Sequence, residues 1–267
     1  MRMRTLRSSV AGLVIAVSAV SLLAGCASPA GAGSPGPSSS PAALHGTIVV
    51  DAAASLTGTF TEIATQFEAA HPGTTVTLNF GGSSALATAI VAGAPVDVFA
   101  AASPATMTTV TDAHLASDPA VFVSNTLEIA VPRGNPGRVT GLADFAKPQL
   151  TIALCAPEVP CGAAAAAIFA KTGIADKPDT LEPDVKSALA KVALGEVDAA
   201  LVYHTDVLAA GAAVEGIPFP EAAQAVNDYP IARIDTSKNA ALASAFIAYV
   251  RGAHGAAVLN RAGFTTK

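Results

Sequence analysis

From Thr47 onward the apolar positions alternate between short β-rich runs and helical repeats. "TIVVDA" is an apolar strand run. Leu56, Phe60, Ile63, Ala64 and Phe67 then recur at the spacing of one helix face, until His71-Pro72-Gly73 stops the helix. "TTVTLNF" alternates Val76, Leu78 and Phe80 with polar residues, as a strand with one buried face does. "GGSS" opens a second helix carrying Leu86 and Ile90, and "PVDVFAA" is a third strand. The order βαβαβ predicts a parallel sheet with helices on its faces.

A second set follows. "TLEIAVP" (126–132) and "LTIALCA" read as strands, and "CGAAAAAIFAKTG" as a helix closed by Gly173. "DVKSALAKVALG" reads as a helix with Val185, Leu189 and Val192 inward and Gly195 past its end. "DAALVY" is a strand ending at Tyr203, "YPIARID" is a late strand, and two helices near 239–252 and 254–261 close the chain. That is more strand than one small sheet holds, so the pattern predicts two α/β lobes.

Composition adds exclusions. The 267 residues are 51% hydrophobic and 13% charged, with 5% aromatics and no Trp, so the core must be mostly aliphatic. Net charge is −5 and no basic stripe is present, which argues against a nucleic-acid partner. Arg2, Arg4 and Arg7 precede "SSVAGLVIAVSAVSLLAG", an uncharged stretch short for a membrane span and ending in small residues, as a secretory signal does. "LAGC" (23–26) resembles the bacterial lipobox, whose cysteine becomes the lipidated mature N-terminus. Residues 1–25 are thus read as a lipoprotein signal peptide, with Cys26 lipidated, and their removal takes three arginines and leaves −8. Residues 26–45 are rich in Ser, Pro, Gly and Ala and read as a disordered tether. The expected location is exported, anchored to the outer face of the cytoplasmic membrane (or periplasmic). A single acyl chain anchors only marginally, so more than one is needed.

With Cys26 lipidated, Cys155 and Cys161 remain, six apart in an oxidising compartment. The pair reads as a disulfide, the alternative being a redox-active or nucleophilic thiol. No CxxC and no nearby histidine support the alternative.

Ligands of parallel α/β sheets lie beyond the carboxyl ends of the strands. Ser55, the pair Ser83 and Ser84, "VPCGAA" and "PDVK" all stand at helix starts in such places, and Tyr203 ends a strand. Free N–H groups and the helix dipole at such starts favour an anion. Each serine alone is adequately explained as a cap and Tyr203 as packing; only convergence makes a site. Catalytic signals are weak: His45, His71, His114, His204 and His254 are scattered without metal-ligand spacing, and no GxSxG or P-loop occurs. Asp51 and Asp97 near strand ends have structural roles by default.

"VVDAAASLTGTFTEIATQFEAAHPG", "NFGGSSALATAIVAGAPVDVFAAAS", "APEVPCG", "DVKSALAKVALGEVDAALVYHTD", "YPIARI" and "RAGFT" together resemble the molybdate-binding proteins of ABC uptake systems, in order from about residue 46 to the end. The resemblance implies a two-lobed periplasmic-binding-protein fold with a ligand cleft between two α/β domains. Lobe I would comprise 46–125 and 228–267, and lobe II 126–227. The chain would be no enzyme and need no cofactor. Its ligand, a molybdate or tungstate oxyanion, would be held by neutral donors alone: Ser55 and Ser83 from the first lobe, Cys161 and Val185 through backbone N–H from the second, and the hydroxyl of Tyr203.

Cys161 departs from the alanine usual in the family, which a backbone contact tolerates. Lys186, the one cation of the matched loops, would be offset by Asp184. The implied partner is an ABC transporter membrane permease reading a closed monomer, with hinges near 124–128 and before Tyr229-Pro230. The rival readings are a binding protein for another oxyanion such as sulfate, an exported thiol enzyme using Cys155 or Cys161, and a structural protein without ligand.

Overall fold

The computed structural model describes residues 44–267; the signal peptide, Cys26 and nearly all of the tether lie outside the described residues. The first run is β1 (Gly46–Ala53), followed by a 3-10 turn at Ala54–Leu56 that passes into α1 (Thr57–Ala70). Then come β2 (Thr74–Gly81), α2 (Ser83–Val91), β3 (Val98–Ala100), α3 (Pro104–Asp112) and β4 (Ala120–Asn125). The chain continues with β5 (Leu127–Pro132), β6 (Ile152–Cys155), α4 (Pro160–Thr172), β7 (Thr180–Glu182), α5 (Val185–Ala193), β8 (Ala199–Tyr203), α6 (His204–Ala210) and β9 (Val214–Ile217). It ends with β10 (Asn227–Arg233), α7 (Ala240–Arg251), α8 (Ala253–Arg261) and β11 (Thr265–Thr266).

These strands form two sheets. One has six strands in the order β11-β4-β10-β3-β1-β2, the other five in the order β7-β6-β8-β5-β9. β1 pairs in parallel with β2 and β3, as the βαβαβ pattern predicts, while β10 and β11 join antiparallel. In the second sheet β6 is parallel to β7 and β8, and β5 antiparallel to β8 and β9. The chain passes from the first sheet to the second at Thr126, between β4 and β5, and returns between Ile217 and Asn227.

The predicted helix faces are the buried ones: Phe60, Ile63, Ala64 and Phe67 on α1, Leu86 and Ile90 on α2, Val185, Leu189 and Val192 on α5. Gly173 ends α4 in the left-handed region, where a side chain would cost energy. The core is aliphatic with a few aromatic anchors; Phe246 meets Phe60 and Phe67 edge-on. Asp97 accepts from Val49 N and Ser237 Oγ, and Asp51 from Asn79, so both acids tie strands and loops together.

The parallel strands of both sheets end toward one seam. β1 ends at Ala53, β2 at Gly81, β6 at Cys155, β7 at Glu182 and β8 at Tyr203, and at that seam the two sheets' bodies meet. Ser84 Oγ, at the start of α2, donates to the carbonyl of Glu158 in the loop before α4, at 2.7 Å. Gly82 lies so close to Pro183 that a β-carbon added to it would stand 2.4 Å from the Pro183 carbonyl oxygen.

Candidate oxyanion site

One small cavity sits at this seam. It is lined by Ser55, Ser83, Cys161, Val185 and Tyr203, the five residues predicted to hold a ligand, together with small residues and Asp184. Its cavity volume is about 20 Å³, against roughly 300–1,000 Å³ for ordinary small-molecule pockets. Its occupant is therefore small. Ala53, Ala54, Gly81, Gly82 and Ala102 form much of the wall and leave room for the helix starts to reach it.

Each donor is placed by its local fold. Ser83 is the first residue of α2, and its Oγ accepts from Ala102 N at 3.0 Å, so the hydroxyl proton remains to be given to the cavity. Pro160 opens α4 and has no N–H to leave unpaired, which puts Cys161 second, where the amide has no partner within the helix. Val185 is first in α5, whose cap is Asp184. Ser55 lies in the turn leading into α1, with its Oγ 3.0 Å from the hydroxyl of Tyr229.

Tyr203 ends the fully buried central strand β8, and its hydroxyl is buried with no hydrogen-bond partner of acceptable geometry among the described residues, although Tyr229 lies beside it. A buried donor without acceptor costs about 1–3 kcal/mol, and a ligand in the cavity would relieve that. Burial first, then Tyr229 and Asp206, push this phenol well above its ordinary range, so it stays a donor.

The charges are arranged differently from expectation. Lys186 is not offset by Asp184; its Nζ pairs with Asp206 Oδ1 at 2.9 Å. Asp184 caps its own helix, taking Ser187 N at 2.9 Å and Ser187 Oγ at 3.1 Å, which turns it away from Lys186, while the long lysine stem reaches α6. Asp184 also lines the cavity, so the walls are not neutral donors alone, and no Lys, Arg or His is among the lining residues. Asp206 is fully buried, accepts from Tyr203 N at 3.3 Å, and is pushed up by burial against the opposing pull of Lys186. The pair thereby ties the start of α5, which carries Val185, to the start of α6, which follows Tyr203.

His204 does not reach this cavity; its Nδ1 lies 2.5 Å from Glu128 Oε2, beside the crossing at Thr126. No group of three or more His, Cys, Asp or Glu among the described residues could hold a metal ion.

Cys155 and Cys161 form a disulfide, so neither sulfur is a resting nucleophile. The bridge closes the loop from the end of β6 to the second residue of α4. That loop is further held by Ala156 N to Glu182 O and by Val159 N to Ala156 O. A loop this short contributes about 2 kcal/mol in the chain-entropy account. Reduction is expected to lower the melting temperature by about 4–8 °C. Paired melts with and without reductant check this; coincident curves would mean the backbone contacts alone hold the loop.

Two facing α/β sheets with a small cavity at the seam and donors from both sides define a two-lobed binding protein. The chain belongs to the family described as bacterial extracellular solute-binding protein, whose model matches residues 48–265. It is 44% identical over 236 residues to the molybdate-binding protein ModA of Mycobacterium tuberculosis, covering 87% of this chain and 90% of that one. Among solved structures it resembles the periplasmic molybdate-binding protein of Azotobacter vinelandii (TM-score 0.71, 21% identity, 82% of this chain and 98% of that one). It also resembles the sulfate-binding protein SubI of Mycobacterium tuberculosis (TM-score 0.73, 17% identity, 82% and 86%). At such identities these two likenesses speak for the fold alone. Proteins of this family bind solutes and are not enzymes.

Proposed function

We propose that this protein captures molybdate, and tungstate with it, in the seam cavity and delivers it to an ABC permease. The observation that carries the reading is the meeting of Ser55, Ser83, Cys161, Val185 and Tyr203 around one small cavity, with the buried Tyr203 hydroxyl lacking a hydrogen-bond partner among the described residues. The relative named as molybdate-binding, at 44% identity, supports the choice of oxyanion. In this reading the anion receives hydroxyl protons from Ser55, Ser83 and Tyr203 and backbone N–H from Cys161 and Val185. Hydrogen bonds to a charged group contribute about 1.5–3 kcal/mol each. A few of these beyond the desolvation cost give micromolar binding, about −8 kcal/mol, or tighter.

Residues 46–125 and 228–267 act as one lobe and 126–227 as the other, hinged at Thr126 and in the return before β10. A ligand bridging both lobes favours the closed form by the contacts made only there. The signal sequence and Cys26 lead to export and lipid anchoring, which keeps the binding body near its permease.

Calorimetric titration with molybdate and then sulfate tests the reading. Binding of molybdate in preference to sulfate is expected, and binding of neither would end it. Tyr203→Phe is expected to weaken molybdate binding about 10- to 100-fold while the protein stays folded. Unchanged affinity would remove Tyr203 from the site.

A further inference from the structure

Tyr229 is fully buried next to the cavity without lining it. It sits on β10, the strand by which the chain returns to the six-stranded sheet, and the register of β10 against β4 shifts between Tyr229 and Pro230. Such a bulge re-aims a side chain. Here the ring packs edge-on between Tyr203 and Phe264, with centroids 5.9 and 5.5 Å away, and the hydroxyl comes within 3.0 Å of Ser55 Oγ. The aligned residues are 174 positions apart in the chain.

A phenol has one proton to give. The side-chain amide of Asn125 donates to Thr205 Oγ1 at 2.8 Å and accepts from Thr126 N at 3.0 Å, which fixes its orientation beside the Tyr229 hydroxyl. The buried Tyr229 proton needs a neighbouring oxygen as its acceptor. Burial raises the Tyr229 phenol above its ordinary range, so the proton is kept. Ser55 Oγ is the oxygen in hydrogen-bond geometry with the phenol, and either of the two could be the donor.

We propose that Tyr229 is a positioning residue of the oxyanion site: it donates to Ser55 Oγ and so turns the single proton of Ser55 into the cavity. The inference rests on the oxyanion reading above. In the order Tyr229 to Ser55 to anion, every proton has an acceptor and the relay ends on the negative charge. Without Tyr229 the serine rotor loses its fixed direction, and part of its hydrogen bond to the anion is lost to rotation.

The test is a double-substitution cycle. Wild type, Tyr229→Phe, Ser55→Ala and the double variant are titrated with molybdate in the calorimeter, and each is melted without ligand. Ser55→Ala keeps the donors of Ser83, Tyr203, Cys161 and Val185, so its affinity stays measurable. Tyr229→Phe alone is expected to bind about 3- to 10-fold more weakly. In the Ser55→Ala background the same substitution is expected to change affinity by less than about 2-fold, because its route to the anion is gone.

Wild-type affinity in Tyr229→Phe overturns the proposal. So do losses that multiply in the double variant, which mark a structural role independent of Ser55, most plainly if the unliganded melting temperature falls in step. If wild type binds neither molybdate nor sulfate, the oxyanion reading falls and takes this role with it. If wild type binds and the cycle shows no coupling, only the role of Tyr229 falls.

Discussion

Gly82→Ala is expected to weaken molybdate binding on the order of 100-fold or more, with the unliganded melting temperature within about 2 °C of wild type. Gly82 has φ −59° and ψ 125°, a conformation any residue adopts, so alanine introduces no backbone strain in its own lobe. What the added methyl meets is across the seam: the Pro183 carbonyl oxygen at 2.4 Å, with Asp184 Cβ at 3.6 Å behind it. Pro183 stands between β7 and α5 in the other sheet's body, and a backbone carbonyl there cannot swing away as a long side chain would. The lobes must separate by a sizeable fraction of an ångström at this point.

That small separation matters because the proposed ligand contacts are short and come from both sides. Ser83 follows Gly82 directly, and Val185 follows Asp184, so the clash falls between two of the donors themselves. The interlobe bond from Ser84 Oγ to Glu158 O would stretch as well. Losing two hydrogen bonds to a charged ligand costs about 3–6 kcal/mol, a factor of 100 or more in affinity. Calorimetry with molybdate reads the loss, and a melt without ligand separates it from misfolding. Wild-type affinity in Gly82→Ala would mean that the liganded lobes sit farther apart than they do here.

Much of the scaffold was legible because it rests on periodicity. α1, α2, α4 and α5 carry apolar residues at helical spacing, and β1 and β8 are apolar runs bounded by breakers. Six elements escaped, among them β4 (Ala120–Asn125) and α6 (His204–Ala210), which directly adjoin the predicted strands at 126–132 and up to Tyr203; the other four depend on tertiary contacts. α3 buries only Thr106, Met107 and Val110 and is rich in threonine, so its apolar stripe is thin; its clearest sign is the Ser103-Pro104 start, where Ser103 accepts from Thr106 N. β7, β9 and β11 have two to four residues each and exist because a neighbouring strand offers an edge.

The site divides in the same way. The five predicted ligand residues follow strand ends and helix starts, which sequence marks, and the family resemblance gathered them. Tyr229, Asn125 and Asp206 meet Ser55, Thr205 and Lys186 across distances in the chain that no spacing rule spans. Lys186 shows the limit most clearly. Proximity in sequence pointed to Asp184, but a helix cap folds back on its own first turn, and the true partner lies twenty residues further on.

Lys186→Met is expected to destabilise the folded protein by about 2–4 kcal/mol at neutral pH, a fall in melting temperature on the order of 10 °C. The reason is Asp206. Its carboxyl is fully buried, and its charge is balanced by Lys186 at 2.9 Å. Removing one partner of a buried pair leaves an uncompensated charge, worth about 3–5 kcal/mol when both groups are enclosed. The lysine side chain is 34% exposed, so water screens part of the interaction and the lower range applies.

The pH dependence gives the sign. Burial already holds Asp206 above its ordinary value of 3.8 in the folded state. A carboxyl raised on folding contributes its stability fully below the unfolded pKa, and that contribution is lost as pH rises through the folded pKa. Without Lys186 the folded value rises further. The deficit of the variant should therefore be small near pH 4, where Asp206 is largely protonated in the folded variant, and grow toward pH 8. Melts of both proteins across that range measure it. A deficit independent of pH would assign the loss to the packing of the lysine stem instead of the charge on Asp206.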